Sequence, residues 1–335
     1  MQAAIYGLSG TELSPDEAAF FADSRPAGYI LFKRNIESRE QLRRLTDALR
    51  DLEGHDEVPI LIDQEGGRVA RMRPPEWQAF PPGEAFDQLY QLAPSSAIEA
   101  ARVNARALGL MLNEVGINID CLPMLDVRQP GANDIVGDRA LGSEPMQVAS
   151  LGRAILDGLA SAGVLGVIKH IPGHGRAMAD SHLELPVVDA GEEELNIDIE
   201  PFERLRDAAM GMTSHLLYTQ WDADRPASQS PIVIHDIIRQ RIGFDGFLMS
   251  DDIGMEALGG DHGQRAAACV AAGCDVALHC DGKMENMLLV ANAVPALSPE
   301  GEARLARAMA MRFTPDDEMD FAEAVAKRDA LLALV

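Results

Sequence analysis

Basic residues are scarce in this chain. Its 335 residues include 29 Lys and Arg against 53 Asp and Glu, a formal charge of −24. Such a surface repels phosphate backbones and anionic lipid headgroups, which argues against nucleic acid and membranes as partners. The first 24 residues contain no Lys or Arg and carry Glu12, Asp16, Glu17 and Asp23. That is the reverse of a secretory signal, with its basic start and apolar middle, so a cytoplasmic protein is expected. Long apolar runs are missing too: the stretch from Ala266 to Cys274 is ended by Asp275, well short of the ~18 residues that a membrane span requires. The four cysteines, Cys121, Cys269, Cys274 and Cys280, form no CxxC pair and read as small buried hydrophobes. Nor is there an internal repeat, a low-complexity segment or a Ser/Gly linker to divide the chain.

What is present is an ordinary globular composition, 47% hydrophobic and 24% charged, long enough to bury a large core. Eight short apolar runs alternate with helical stretches, near Ala3–Gly7, Gly28–Phe32, Val58–Asp63, Ile117–Leu122, Val164–His170, Met212–Leu217, Phe247–Asp251 and Asp275–His279. Parallel strands covered on both faces read this way, and eight of them predict a closed (β/α)8 barrel of the TIM type. The chain is expected to be one catalytic domain, 1–335, closed by helices from about Ser298. Ser38 with Gln41 and Ser96 with Glu99 have capping-box spacing, and Leu42, Leu45, Leu49 and Leu52 form an apolar helical stripe. Gly116, Gly163, Gly243 and Gly273 each stand just before a strand, where a left-handed helix cap is expected. The strand-to-helix links are long, from Gln64 to about Pro94, Pro123 to Glu144, Ile171 to about Asp198 and Tyr218 to Pro231. In a barrel they gather at the C-terminal ends of the strands, the end that carries active sites.

The polar residues just after strands are therefore the candidates for chemistry. Asp63 ends Val58-Pro-Ile-Leu-Ile-Asp63 and opens Gln64-Glu65-Gly66-Gly67-Arg68-Val69-Ala70-Arg71. Its carboxylates and guanidinium groups are suited to charge-assisted hydrogen bonds with sugar hydroxyls, or to ion pairs that hold the loop. Lys169 and His170 break an apolar strand, a costly interruption unless both face a polar cavity. Pro172-Gly173-His174-Gly175 and Asp180-Ser181-His182 follow. One reading binds zinc with His170, His174 and His182, with Asp180 orienting a ligand or activating water. It is weakened by Pro172 and Gly173, which make the segment a loop and deny the HxxxH spacing a shared helical face. The other, which we favour, has Asp180 accept the ring N–H of His182 and leave the second nitrogen free for proton transfer, with His174 capping the Gly-rich loop. Asp251 and Asp252 end a further strand. Neighbouring strand residues point to opposite faces, so one of them is expected to aim into the site as nucleophile or charge stabiliser and the other to cap the loop. With an imidazolium as acid and a carboxylate as nucleophile on opposite sides of a glycosidic bond, the site would hydrolyse it with retention.

Four motifs occur in order: Asp63-Gln-Glu-Gly-Gly-Arg-Val-Ala-Arg71, Lys169-His-Ile-Pro-Gly-His-Gly175, Asp180-Ser-His182 and Ser250-Asp-Asp-Ile-Gly254. With them the chain resembles the bacterial β-N-acetylhexosaminidases of glycoside hydrolase family 3. The segment from Ile237 to Asp251 resembles that family's nucleophile signature, which implies Asp251 as the attacking residue. The resemblance further implies His182 as acid/base with Asp180 as its partner, and substrate contacts from Asp63, Arg71, Arg139 in Gly137-Asp-Arg-Ala140, Lys169 and His170. It implies a cytoplasmic enzyme of cell-wall recycling that removes terminal β-linked N-acetylglucosamine from anhydro-muropeptides. No cofactor or metal is called for, and a monomer is expected. Two departures stand out: Ile171 where Phe is common, and Ile253-Gly254 where Leu-Ser is frequent. Neither touches an assigned catalytic group.

Three alternatives remain beside this reading. Phosphate could replace water as acceptor, a metal-dependent amide or ester hydrolase could be built on the three histidines, or the barrel could bind sugar without turnover. The Ile171–Asp198 loop, which carries Asp180 and His182, is expected to close over the sugar.

Overall fold

The structure is a computed structural model, and it describes every residue except Ala132, Asp180, His182, Leu183, Phe313 and 316–318. Eight parallel strands close into a barrel: β1 (Gln2–Gly7), β2 (Pro26–Leu31), β3 (Ile60–Ile62), β4 (Ile119–Asp120), β5 (Leu165–Ile171), β7 (Met210–Thr213), β9 (Phe247–Asp252) and β10 (Val276–His279). They neighbour one another in chain order, and β10 returns to pair with β1. Two further strands, β6 (Val187–Val188) and β8 (Leu217–Tyr218), pair above the barrel as a separate small sheet. All eight expected strands are present. The sixth is shifted, because pairing with β5 and β9 starts at Met210 and stops at Thr213. Ser214 to Leu216 leave the wall, and Leu217 joins the small sheet instead.

Alternation along the strands sorts the core into two layers. Ile5, Ile30, Leu61, Ile119, Val167, Met210, Phe247, Met249 and Val276 fill the lumen, while intervening residues such as Tyr6, Ile62, Ile168 and Leu248 pack outward against the helices. A lumen packed with side chains is a core and not a pore. Its lower end is closed by α9 (Pro299–Ala310), whose Leu305 and Ala308 join the lumen cluster. The tail from Ser298 is helical as expected, and Ser298 caps α9 through the N–H of Gly301. It ends in α10 (Phe321–Leu332), where Arg328 donates to Asn104 of α4 (Pro94–Glu114). Among the described residues no helix is long and apolar enough to cross a membrane. The four cysteines are buried and unpaired.

The outer helices form largely where their signals lie. In α2 (Arg39–Glu53), Leu42, Leu45 and Leu49 are buried and Leu52 packs beside them. The expected glycine caps, Gly116, Gly163, Gly243 and Gly273, all have positive φ. The capping boxes fare differently. Ser38 accepts the N–H of Gln41, but the Gln41 amide oxygen accepts the N–H of Glu37, one residue early. Ser96 is inside α4, which begins at Pro94; proline fixes φ and lacks the N–H that a first-turn residue would leave unsatisfied, so the start falls there. The link from Gln64 to Pro94 is also less irregular than its composition suggests, since α3 (Gly83–Leu92) occupies its second half.

Candidate active site

At the C-terminal mouth of the barrel the long links enclose a cavity of about 250 Å³. Asp63, Arg71, Arg139, Lys169, His170 and Asp251 all border it, drawn from the ends of β3, β5 and β9 and from the loop after β4. Five charged groups form one chain of contacts along its wall. Arg71 pairs with Asp63 at 2.9 Å, and Asp63 accepts from Lys169 at 3.1 Å. Lys169 also reaches Glu65 at 2.7 Å, and Glu65 receives both arms of Arg139 at 2.7 and 2.8 Å. The bidentate Arg139–Glu65 pair fixes direction as well as charge. Three cations against two anions leave this wall with 3 − 2 = +1.

Burial alone would raise the carboxyl pKa values here, yet Arg139 and Lys169 hold Glu65 well below the usual range, and Lys169 and Arg71 do the same for Asp63. For Lys169 burial pulls down, and Glu65 and Asp63 more than restore the cation. Asp63, Glu65 and Lys169 therefore stay charged at neutral pH, and the wall aims directional donors and acceptors into a small space.

The loop that carries this wall is held from inside. The buried Gln64 donates its N–H to Asp120, accepts the N–H groups of Arg71 and Met72, and donates its side-chain amide to the Met72 carbonyl. One side chain thus sets where Arg71 leaves the backbone.

Asp126 organises the next loop. Its Oδ1 accepts the backbone N–H groups of His170 and His174 at 3.2 and 2.6 Å, and its Oδ2 lies 2.7 Å from His170 Nδ1. A carboxylate can only accept, so Nδ1 carries the proton and Nε2 of His170 is left for the cavity. Burial would raise Asp126; His170 and the loop N–H groups keep it below the ordinary carboxylate value. His174 is buried beside it, pushed down to about 4 chiefly by burial, and so neutral. Its Nε2 contacts Ser181 Oγ at 3.3 Å; the capping role expected for it is taken by Asp126, which accepts its backbone N–H. The loop also passes so close to its neighbour that a Cβ on Gly175 would lie 1.9 Å from the Val127 carbonyl oxygen. Gly175→Ala is expected to cost about 1–3 kcal/mol, measured by urea unfolding; an unchanged midpoint would show that the two loops part easily.

Asp251 and Asp252 both border the cavity, so the strict alternation expected for them fails at the strand's last residue. Their environments nevertheless separate them. Asp251 accepts the N–H of Asp252 at 2.8 Å; burial would raise it, but His170 and that N–H hold it below the ordinary value. Asp252 is raised by burial and by the charge of Asp251, and it caps the turn through the N–H of Gly254 at 2.9 Å. Two carboxyls pushed in opposite directions mark different tasks, with Asp251 the anion. His215 supports the pair from behind. Its Nε2 faces the Asp252 carbonyl at 3.0 Å and its Nδ1 faces Ser228 Oγ at 2.7 Å, so Nε2 carries the hydrogen, and burial keeps the ring neutral.

The expected acid/base His182 and its partner Asp180 lie outside the described residues. Of the residues that do the positioning, Asp126 and His215 escaped the reading of the sequence. The only signals were an acid closing the run Ile117-Asn-Ile-Asp-Cys-Leu-Pro-Met-Leu-Asp126 and a histidine just after a strand.

A barrel whose C-terminal mouth is a blind, charged cavity, with one pair of carboxyls outside the ion-pair chain pushed in opposite directions, defines an enzyme for a small polar substrate. Comparison with known proteins gives the class. Residues 5–311 match the Glycosyl hydrolase family 3 N terminal domain. A beta-hexosaminidase of Aromatoleum aromaticum is 36% identical over 320 residues, 94% of this chain and 88% of the relative. One of Alkalilimnicola ehrlichii is 37% identical, covering 90% and 87%. The crystal structure of NagZ from Neisseria gonorrhoeae, in complex with N-trifluoroacetyl-D-glucosamine, superposes with a TM-score of 0.85 at 29% identity, over 99% of this chain and 96% of that one. The chain belongs to glycosyl hydrolase family 3, among its β-hexosaminidases.

Proposed function

We propose that this glycoside hydrolase is a retaining exo-β-N-acetylglucosaminidase acting on terminal β-linked N-acetylglucosamine. The observation that carries this is Asp251, an anion facing a blind cavity whose other wall is a fixed array of charged donors and acceptors, in a chain that aligns nearly end to end with β-hexosaminidases. A carboxylate oxygen of Asp251 attacks the anomeric carbon while His182 gives its proton to the leaving oxygen, and the glycosidic C–O bond breaks. Water, deprotonated by the same His182, then attacks the anomeric carbon and releases Asp251, so both inversions cancel. Asp180 accepts the second ring N–H of His182 and fixes its tautomer. Asp63, Arg71, Arg139, Lys169 and His170 hold the sugar hydroxyls and the acetamido group.

The substrates on this reading are N-acetylglucosaminyl anhydro-muropeptides, and the setting is cytoplasmic cell-wall recycling by a monomeric, single-domain enzyme without a cofactor. The test follows p-nitrophenyl N-acetyl-β-glucosaminide and the matching glucoside, with the released sugar watched by proton NMR. Turnover of the first substrate alone, with the β-anomer appearing first, is the expected result. An α-anomer as first product would end the covalent route, and release of sugar 1-phosphate in phosphate buffer would replace water by phosphate as acceptor.

A further inference from the structure

Outside the sugar cavity, one cluster of polar groups has no task in the hydrolysis. His279 is the last residue of β10 and is completely buried. Its neighbours Leu278 and Cys280 line the sugar cavity, so by alternation its own ring faces the other way, toward the helical layer. There it meets His262, the first residue of α7 (His262–Ala272), edge to face at 5.2 Å between ring centroids. Neither ring nitrogen of His279 has a hydrogen-bond partner among the described residues, and His262 Nδ1 is likewise buried without one. Buried polar atoms are normally satisfied, and three orphaned imidazole nitrogens at one spot ask for a partner that protein atoms do not supply.

Asp281 completes the group. Its Oδ1 is 3.2 Å from His279 Nε2 but out of line for a hydrogen bond. One ligand atom from each of His262, His279 and Asp281 lies within 4.8 Å of the other two, and among the described residues this is the only such group of His, Cys, Asp or Glu side chains. Zinc bonds of about 2.0–2.1 Å at tetrahedral angles put neighbouring ligand atoms about 3.3 Å apart, close to the His279–Asp281 separation, and a small turn of the half-buried His262 brings in the third. The carboxylate is already oriented from behind: its Oδ1 accepts the N–H of Lys283 at 2.8 Å and its Oδ2 the amide of Asn286 at 2.5 Å. Such supporting bonds are what metal-ligating carboxylates usually have. The amino end of α7 opposes a cation through its partial positive charge, and the charge of Asp281 offsets this.

We propose that His262, His279 and Asp281 form a Zn²⁺ site in the barrel wall, with water as the fourth ligand on the side of His262. The ion joins the end of β10 to the start of α7, outside the sugar cavity, and so stiffens the wall that Leu278 and Cys280 present to the sugar. This does not depend on which glycoside the enzyme cleaves.

The test titrates chelator-treated protein with ZnCl₂ by calorimetry, with Co²⁺ as a spectroscopic reporter of geometry. Wild type is expected to take one equivalent, show the strong visible bands of tetrahedral cobalt and unfold at a higher temperature with zinc. Asp281→Asn and His262→Ala should each weaken zinc at least ~100-fold, and Asn286→Ala by about 10–100-fold. Asp281→Asn is isosteric and His262→Ala removes a half-buried ring at a helix start, and circular dichroism checks that both fold. Asp251→Asn and His170→Gln should bind as wild type does. The site is refuted if wild type fails to bind zinc stoichiometrically, if the ligand variants retain affinity, or if only the cavity variants lose it.

Discussion

Asp251→Ala should lower kcat on p-nitrophenyl N-acetyl-β-glucosaminide by on the order of 10⁴-fold or more, with KM changed far less. The substitution removes the only group proposed to bond the anomeric carbon and leaves untouched the wall that binds the sugar. Asp252 is a poor substitute even though it borders the same cavity. Its carboxylate is committed to the N–H of Gly254, and burial raises its pKa. Loss of the nucleophile should therefore not be rescued from within the protein, whereas an added small anion such as azide should restore turnover and give an inverted product. A variant that kept more than about one hundredth of wild-type kcat would show that Asp251 does not form the covalent bond.

The largest effect on stability is expected at Glu65. Glu65→Ala leaves the buried Lys169 with Asp63 as its remaining ion-pair partner and takes both carboxylate contacts from Arg139. Breaking a buried network by removing one member typically costs about 3–5 kcal/mol, because the surviving charge has lost its compensation. Urea unfolding at pH 7 measures it. The folded-state pKa of Glu65 is depressed, so the stability it contributes is present above the unfolded carboxylate value of about 4.3 and is lost as pH falls below that toward the folded value. The gap between wild type and variant should accordingly narrow as the pH is taken down through 4. A gap below about 1 kcal/mol at pH 7 would mean that water enters and solvates Lys169 and Arg139.

How much of this was legible beforehand follows from the range over which each feature is specified. The eight barrel strands are short apolar runs buried on both faces, so each advertises itself locally, and only their ends moved. β4 pairs over Ile119–Asp120 although its apolar run is longer, and β7 stops at Thr213 where the chain turns toward the small sheet. Asp63, Lys169, His170 and Asp251 could be read because a charge ending an apolar strand is conspicuous. Arg139 could not, since it follows no strand and its partner Glu65 is 74 residues away; it came from resemblance alone. Asp126 was missed for a similar reason, because what it holds is a ring and two N–H groups more than 40 residues further on. Its type is visible in sequence, but its partners exist only in the fold.

The packed lumen has a consequence for how substrate and product can move. Because Ile30, Met212 and Leu278 floor the cavity and α9 seals the far end of the barrel, whatever enters has to leave by the same mouth. A glycan cannot be threaded through the barrel; on the proposed reading one terminal sugar enters, is cut, and leaves by that mouth before the next substrate docks. If the enzyme removes terminal sugars as proposed, the freed monosaccharide sits deepest and departs last, and it should slow turnover as it accumulates.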